Sequence, residues 1–241
     1  MTEAAMFHTF ESGDGWRING ILRRPIPAHA KPTPAVLAVP GSRHERDAWT
    51  QVAMALTERG CTTLQIDIRG RGASANGVRY SDMGPAQRRR VSLDVAAAID
   101  VVAQANGVDA ARLGLLVEQD TAADALDAVA GDDRVRAVAV LSARHGERVA
   151  RAVAERGAPV YALVSVEDRE ALRATVEAYL SAPEAQSRLD VFHGLGVGIT
   201  MASVLQFERP DEIPIEARLA DWMTGVLAPA VSRPSPPSAA R

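Results

Sequence analysis

Five short, largely apolar runs, at 35–39, 62–68, 112–117, 135–141 and 160–164, constrain the fold of this chain more than any other feature. Each is too short for a helix and too continuously apolar for a strand with one wet face, so each predicts a strand covered on both sides. Helix-period segments separate them, at 48–59, 91–104, 122–130, 147–156 and 169–180, with a last one at 215–227. Strand and helix in strict alternation predict an α/β protein with a doubly wound, mainly parallel sheet. No repeat period appears, which argues against a solenoid.

The ends carry different signals. Turn residues Gly13-Asp14-Gly15, followed by alternation through Trp16, Ile18, Gly20 and Leu22, predict a hairpin within 1–24. A Pro-rich link over 25–34 follows it, and 228–241, ending SRPSPPSAAR, reads as a disordered tail. The expectation is one domain over 1–227 with little or no cap. At 241 residues such a chain buries about 70–75% of its unfolded surface, so its core needs neither disulfide nor structural metal. Cys61, the one cysteine, excludes an internal disulfide and a multi-cysteine zinc site.

Charge and hydropathy narrow the partners. A net charge of −3 gives no electrostatic case for nucleic acid. The start has neither a basic region nor an apolar one, and no stretch approaches the roughly 18 apolar residues of a membrane span, so a cytoplasmic protein without a membrane partner is expected. Lys31 is the only lysine among 27 basic residues, a mark of GC-rich coding rather than of function. The basic run 88–90 leads into a helical pattern and reads as a solvated helix flank, not a phosphate site.

In doubly wound sheets, chemistry gathers at the carboxyl ends of the strands. The segments there read VPGSRHERDAW, IDIRGRGAS, VEQDTA, VEDRE and FHGLGVGITM. Five features fall in order: the opening Phe10-Glu11-Ser12-Gly13-Asp14-Gly15; Pro40-Gly41; a D-x-R-G-x-G-x-S stretch with Asp67, Arg69, Gly70, Gly72 and Ser74; a strand–turn–helix over 112–130; and a G-x-G-x-G turn with Gly194, Gly196 and Gly198. In this order and spacing, 7–227 resembles an α/β-hydrolase of the small, nearly capless kind related to dienelactone hydrolases and short esterase or acyl-peptidase domains.

The resemblance implies a nucleophile on a G-x-S-x-G turn between strand and helix, where small flanks permit a strained backbone. Matched without gaps, Gln119 takes the nucleophile position and Val117 and Thr121 the glycine positions. An amide has no ionisable proton for a base to remove, so acyl-enzyme chemistry cannot begin there. Asp168 takes the acid position, and Val197 the position of the base histidine, where it cannot transfer a proton. Pro40-Gly41 stands where the family carries His-Gly. Centring the turn on Asp120 makes Glu118 and Ala122 the flanks, and centring it on Glu118 makes Leu116 and Asp120 the flanks, both too bulky. Gln119 is therefore the expected centre.

Other polar residues offer alternatives. His44, in GSRHERD, either replaces the missing base or, as a loop residue, faces water. His193 lies four residues from the base position and reads as a satisfied structural histidine, while His8, His29 and His145 have no motif context. Glu118, Gln119 and Asp120 form an acidic elbow at a helix N-terminus, with Asp120 read as the N-cap beside Thr121. Asp67, Arg69 and Ser74 read as structural, and Cys61 as a small buried apolar residue.

Three functions remain open. The first is a catalytically degenerate hydrolase that binds a small acyl or carbonyl ligand, through Pro40, Gly41, Ser42, Arg43, Gln119 and Asp120, or binds a protein partner, with room for a homo-oligomer. The second is a cofactor-independent lyase, cyclase or isomerase using Glu118, Asp120, Asp168 or His44 as acid or base, with Gln119 donating to a carbonyl. The third is residual hydrolysis through a nucleophile such as Ser42. None calls for a cofactor or metal. If Val117 and Val197 fill the old cavity, ligand binding fails and partner binding is left.

Overall fold

Two-sided burial turns the apolar runs into the middle of one sheet. The computed structural model describes residues 4–26 and 31–229. Its strands are β1 (Ala4–Glu11), β2 (Arg17–Arg24), β3 (Thr33–Val39), β4 (Thr62–Asp67), β5 (Val108–Glu118), β6 (Val135–Leu141), β7 (Val160–Ser165) and β8 (Arg188–Phe192). Among the described residues these eight form one sheet in the order β1-β2-β4-β3-β5-β6-β7-β8. The predicted hairpin is β1–β2, with Phe10 opposite Ile18, and β2 runs antiparallel to β4. Every other neighbouring pair is parallel.

The helices are α1 (Thr50–Glu58), α2 (Pro85–Arg88), α3 (Val91–Ala103), α4 (Ala122–Val129), α5 (Gly146–Arg156), α6 (Arg169–Leu180), α7 (Thr200–Glu208) and α8 (Ile215–Val226). They cover both faces. Along β3, Ala35, Leu37 and Val39 join a core with α3 to α6, while the intervening Val36 and Ala38 join a second core with α1, α7 and α8. This alternation explains why the run is apolar at every position: neither face meets water. Each fully buried Leu, Ile or Val side chain contributes about 1.5–3 kcal/mol.

Where the sequence predicts no element, the local pattern is weak. The strand β8 lies at the sheet edge and carries Arg188 and Asp190, so no apolar run announces it. In α7 only Met201 and Leu205 are buried, too few for a periodic signal. The predicted tail falls mostly outside the described residues, as do 27–30 of the predicted link. No helix among the described residues is long and apolar enough to cross a membrane.

The residues read as structural are so. Arg69 is buried between Asp94 at 2.7 Å and Asp14 at 2.8 Å, which ties the turn after β4 to α3 and to the hairpin turn. Asp67 accepts the backbone N–H groups of Arg46 and Ala73 and pairs with the Arg46 guanidinium, and the Ser74 hydroxyl accepts the N–H of Asn19. Cys61 is fully buried, and that burial pushes its thiol up to about 12. Arg89 and Arg90 are solvent-exposed between α2 and α3, as a helix flank should be.

Sheet order fixes where chemistry can gather. From β3 the chain winds outward to β4, then returns to the opposite side of β3 to begin β5. The exits of β3 and β5 thus lie side by side at the point where winding reverses, which is where such sheets bind ligands.

Candidate functional site

At the end of β5 the chain makes a tight 3-10 turn over Gln119–Thr121 and enters α4. Gln119 sits in that turn with φ of +52°, in the left-handed region that non-glycine residues avoid. Such backbone strain, of order 1–3 kcal/mol, persists only where the surroundings hold it. Here the Gln119 carbonyl accepts the N–H of Arg144 at 3.0 Å, and the Thr121 hydroxyl donates to the Pro40 carbonyl at 2.9 Å. Gln119 is therefore the centre of the turn, as the ungapped match predicts, even though its flanks Val117 and Thr121 are fully buried and not glycine.

The Gln119 side chain is only 7% exposed. It lies between Gly41 and Gly198. A Cβ on Gly41 would stand 3.2 Å from the Gln119 Cβ, and one on Gly198, whose φ is +57°, would stand 2.5 Å from its Nε2. Gly198 must lack a side chain for the amide to fit, and a side chain on Gly41 would press against it. Among the described residues, nothing hydrogen-bonds to that amide.

Beneath it, the fully buried carboxylate of Glu118 joins three segments. Its Oε1 accepts the Gly41 N–H at 2.9 Å and bonds His44 Nδ1 at 2.8 Å, and its Oε2 accepts the Ile199 N–H at 2.8 Å. A carboxylate only accepts, so Nδ1 of His44 carries the proton. This bond raises the His44 pKa above the usual histidine value, against burial and the nearby charges of Arg71 and Arg43. The expectation that His44 merely faces water is thus corrected: its side chain is 22% exposed and anchored to the elbow.

Asp120 does not cap the helix. The N-cap of α4 is Thr121, without a side-chain hydrogen bond, and Asp120 Oδ1 instead accepts the Ser42 N–H at 3.0 Å. Asp120 lies within the 3-10 turn, one residue before that N-cap, and its carboxylate meets the loop after β3. Asp168 caps α6 by accepting the Ala171 N–H, and its other oxygen pairs with Arg144 at 2.7 Å. His193 is exposed, not the satisfied structural histidine expected; it lies past the edge strand β8, where no core exists to enclose it.

A cavity of about 400 Å³ opens over the elbow, lined by Ser42, Arg43, Gln119, Asp120, Arg144, Glu170 and Val197. It unites Gln119 and Val197, as the resemblance implies. Of the expected ligand-binding set, Ser42, Arg43, Gln119 and Asp120 line it. Pro40 and Gly41 stand behind, one holding Thr121 and the other flanking Gln119. Val117 is in the core and Val197 is a half-buried wall, so neither closes the space. Sequence reasoning missed Arg144 and Glu170, which pair at 2.7 Å, and Ser142, whose hydroxyl accepts the Gly198 N–H at 2.8 Å. Arg144 and Ser142 lie in the exit of β6, where the rule that drew attention to the other strand ends applies equally.

Chemically, the site holds a strained, buried amide, a carboxylate on a backbone N–H, and an arginine shared between two acids. No histidine is hydrogen-bonded to the Ser42 hydroxyl or to Gln119 among the described residues.

No protein-family model matches the sequence, and no curated protein matches it. Solved structures do resemble the chain. One is a dienelactone hydrolase from Anabaena variabilis ATCC 29413, with a TM-score of 0.74 and 18% identity, covering 94% of this chain and 99% of that one. Another is an α/β-hydrolase from Penicillium sp. sh18, with a TM-score of 0.70 and 16% identity, covering 93% and 99%. A third is a Pyrococcus furiosus esterase, with a TM-score of 0.69 and 12% identity, covering 93% and 92%. At these identities the likeness is one of fold.

Proposed function

We propose that this chain, which has the α/β-hydrolase fold, binds a small acyl or carbonyl compound in the cavity above Gln119 without hydrolysing it. The observation that carries this reading is Gln119: an amide at the strained turn where the fold presents its nucleophile, buried, unpartnered and lining an open cavity. Nothing about the position supports covalent catalysis, because an amide nitrogen has no lone pair free to attack and no base beside it. Val197 lines the same cavity and moves no proton. The Asp168 carboxylate is divided between the α6 cap and Arg144. An open cavity also favours a small ligand over a protein partner as the occupant.

The test is labelling of the purified protein with a fluorophosphonate beside a p-nitrophenyl ester assay. Neither labelling nor turnover is expected, and Gln119→Ser alone should show no burst of acylation because Val197 offers no base. Labelling at a single site in the wild type overturns the reading and names the nucleophile.

One observation favours a second reading. The Glu118–His44 pair is a carboxylate orienting an imidazole and raising its basicity, an arrangement suited to proton transfer in a lyase, cyclase or isomerase. If that reading holds, His44→Gln abolishes turnover of a carbonyl substrate while its binding persists, as seen by calorimetry.

A further inference from the structure

We infer that the ligand of this cavity presents a carboxamide or lactam edge, a carbonyl and an N–H side by side, to the side-chain amide of Gln119. The inference rests on the binding reading above and specifies the chemistry it takes. Three observations carry it.

The first is that the Gln119 amide is a fixed group. It is only 7% exposed, its backbone is held at φ of +52°, and it is wedged between Gly41 and Gly198, where any side chain at 198 would meet its Nε2 at 2.5 Å. A surface glutamine would turn to water and satisfy itself; this one is held facing the cavity it lines.

The second is that neither amide edge has a protein partner among the described residues. Whichever way the amide is turned, it presents one donating and one accepting edge. A ligand with the same pair in reverse order satisfies both at once. An ester or ketone leaves the accepting edge without a partner from the ligand, which weakens binding by about tenfold.

The third concerns charge. A carboxylate ligand would set its oxygens against the accepting edge of Gln119 and against Asp120. The donor that could have compensated, the Ser42 N–H, is already engaged by Asp120 Oδ1 at 3.0 Å. Arg144 is held by Asp168 and Glu170, each at 2.7 Å. Arg43 is exposed, and solvent screens its charge. What remains to select a ligand is the neutral amide.

Three matched probes test this: phenylacetamide, phenylacetate and methyl phenylacetate. Their binding is measured by calorimetry and saturation-transfer NMR on the wild type, Gln119→Leu and Gln119→Glu, at about 0.15 M salt so that surface charges are screened. In the wild type, phenylacetamide should bind about tenfold or more tightly than either other probe. That preference should vanish in Gln119→Leu, which has neither edge, and should shrink in Gln119→Glu, whose carboxylate still accepts the amide N–H but offers no donor to its carbonyl. An ester or carboxylate that binds as well as the amide overturns the carboxamide inference and leaves the binding reading standing. Failure of all three probes to bind overturns the binding reading itself. If either variant fails to fold, as judged by its melting curve, the ranking in the wild type still decides.

Discussion

Glu118 is the residue on which the geometry of the site converges. Its carboxylate is fully buried and receives N–H groups from Gly41, His44 and Ile199, so two segments remote in sequence depend on one side chain. Removing it in Glu118→Ala leaves two backbone N–H groups buried without partners, each a loss of about 1–3 kcal/mol. A destabilisation of about 3 kcal/mol or more is expected, read as a lowered urea midpoint at unchanged slope; an unchanged midpoint sinks the assignment. Gly198→Ala acts on the same contact from the other side, because its Cβ would collide with Glu118 Oε2 and Gln119 Nε2 at a backbone φ of +57°. At this scale the sequence pointed to Glu118, Gln119 and Asp120 as a group. It did not show which of them turns inward, nor that Thr121 rather than Asp120 stands at the N-cap of α4.

The loop between β3 and α1, irregular until a 3-10 turn over Arg46–Trp49, is held to β5 mainly through side chains. Its His44 bond to Glu118 makes this attachment pH-dependent. Because the folded protein raises the His44 pKa, the protonated imidazole favours the folded state, and its contribution is complete below the ordinary histidine value of about 6.5. It is lost as pH rises through the raised folded value. Arg43 and Arg71 face the ring and oppose this, so the effect is a net of attraction over repulsion. Thermal midpoints measured from pH 6 to 9 should fall for the wild type relative to His44→Gln. Parallel curves for the two proteins would show that the bond does not form in solution. Elements differ in legibility for a plain reason. The central strands, covered on both faces, must be apolar throughout, whereas β8 at the edge and α7 with two buried residues leave no pattern to read.

Across the whole molecule, one continuous sheet separates two cores. Arg69 shows how the parts are joined: almost fully buried, it binds Asp94 of α3 and Asp14 of the hairpin turn. Arg69→Met would strand the fully buried Asp94 carboxylate without its cation, a loss of about 3–5 kcal/mol. Since hairpin and sheet share that link, urea should unfold the variant in a single earlier transition by both fluorescence and circular dichroism. A separate early loss of the hairpin would show instead that the two fold independently. Asp14, held well below the usual carboxylate range chiefly by Arg69, adds stability that is present above pH about 4 and lost as pH falls further.

The alternation of central strands and helices, the hairpin and the two-sided burial of the sheet were legible in the sequence alone. Each rests on periodicity or on spacing within a few residues, and such signals are set by local geometry. The bonds that make the site were decided only by the tertiary structure. His44 meets Glu118 across 74 positions, Ser42 meets Asp120 across 78, and Ile199 meets Glu118 across 81. No local pattern encodes those meetings. They follow from the winding of the chain about β3, which sets the exits of β3 and β5 side by side, and from the requirement that a carboxylate taken out of water find donors on whatever segments the sheet brings to it.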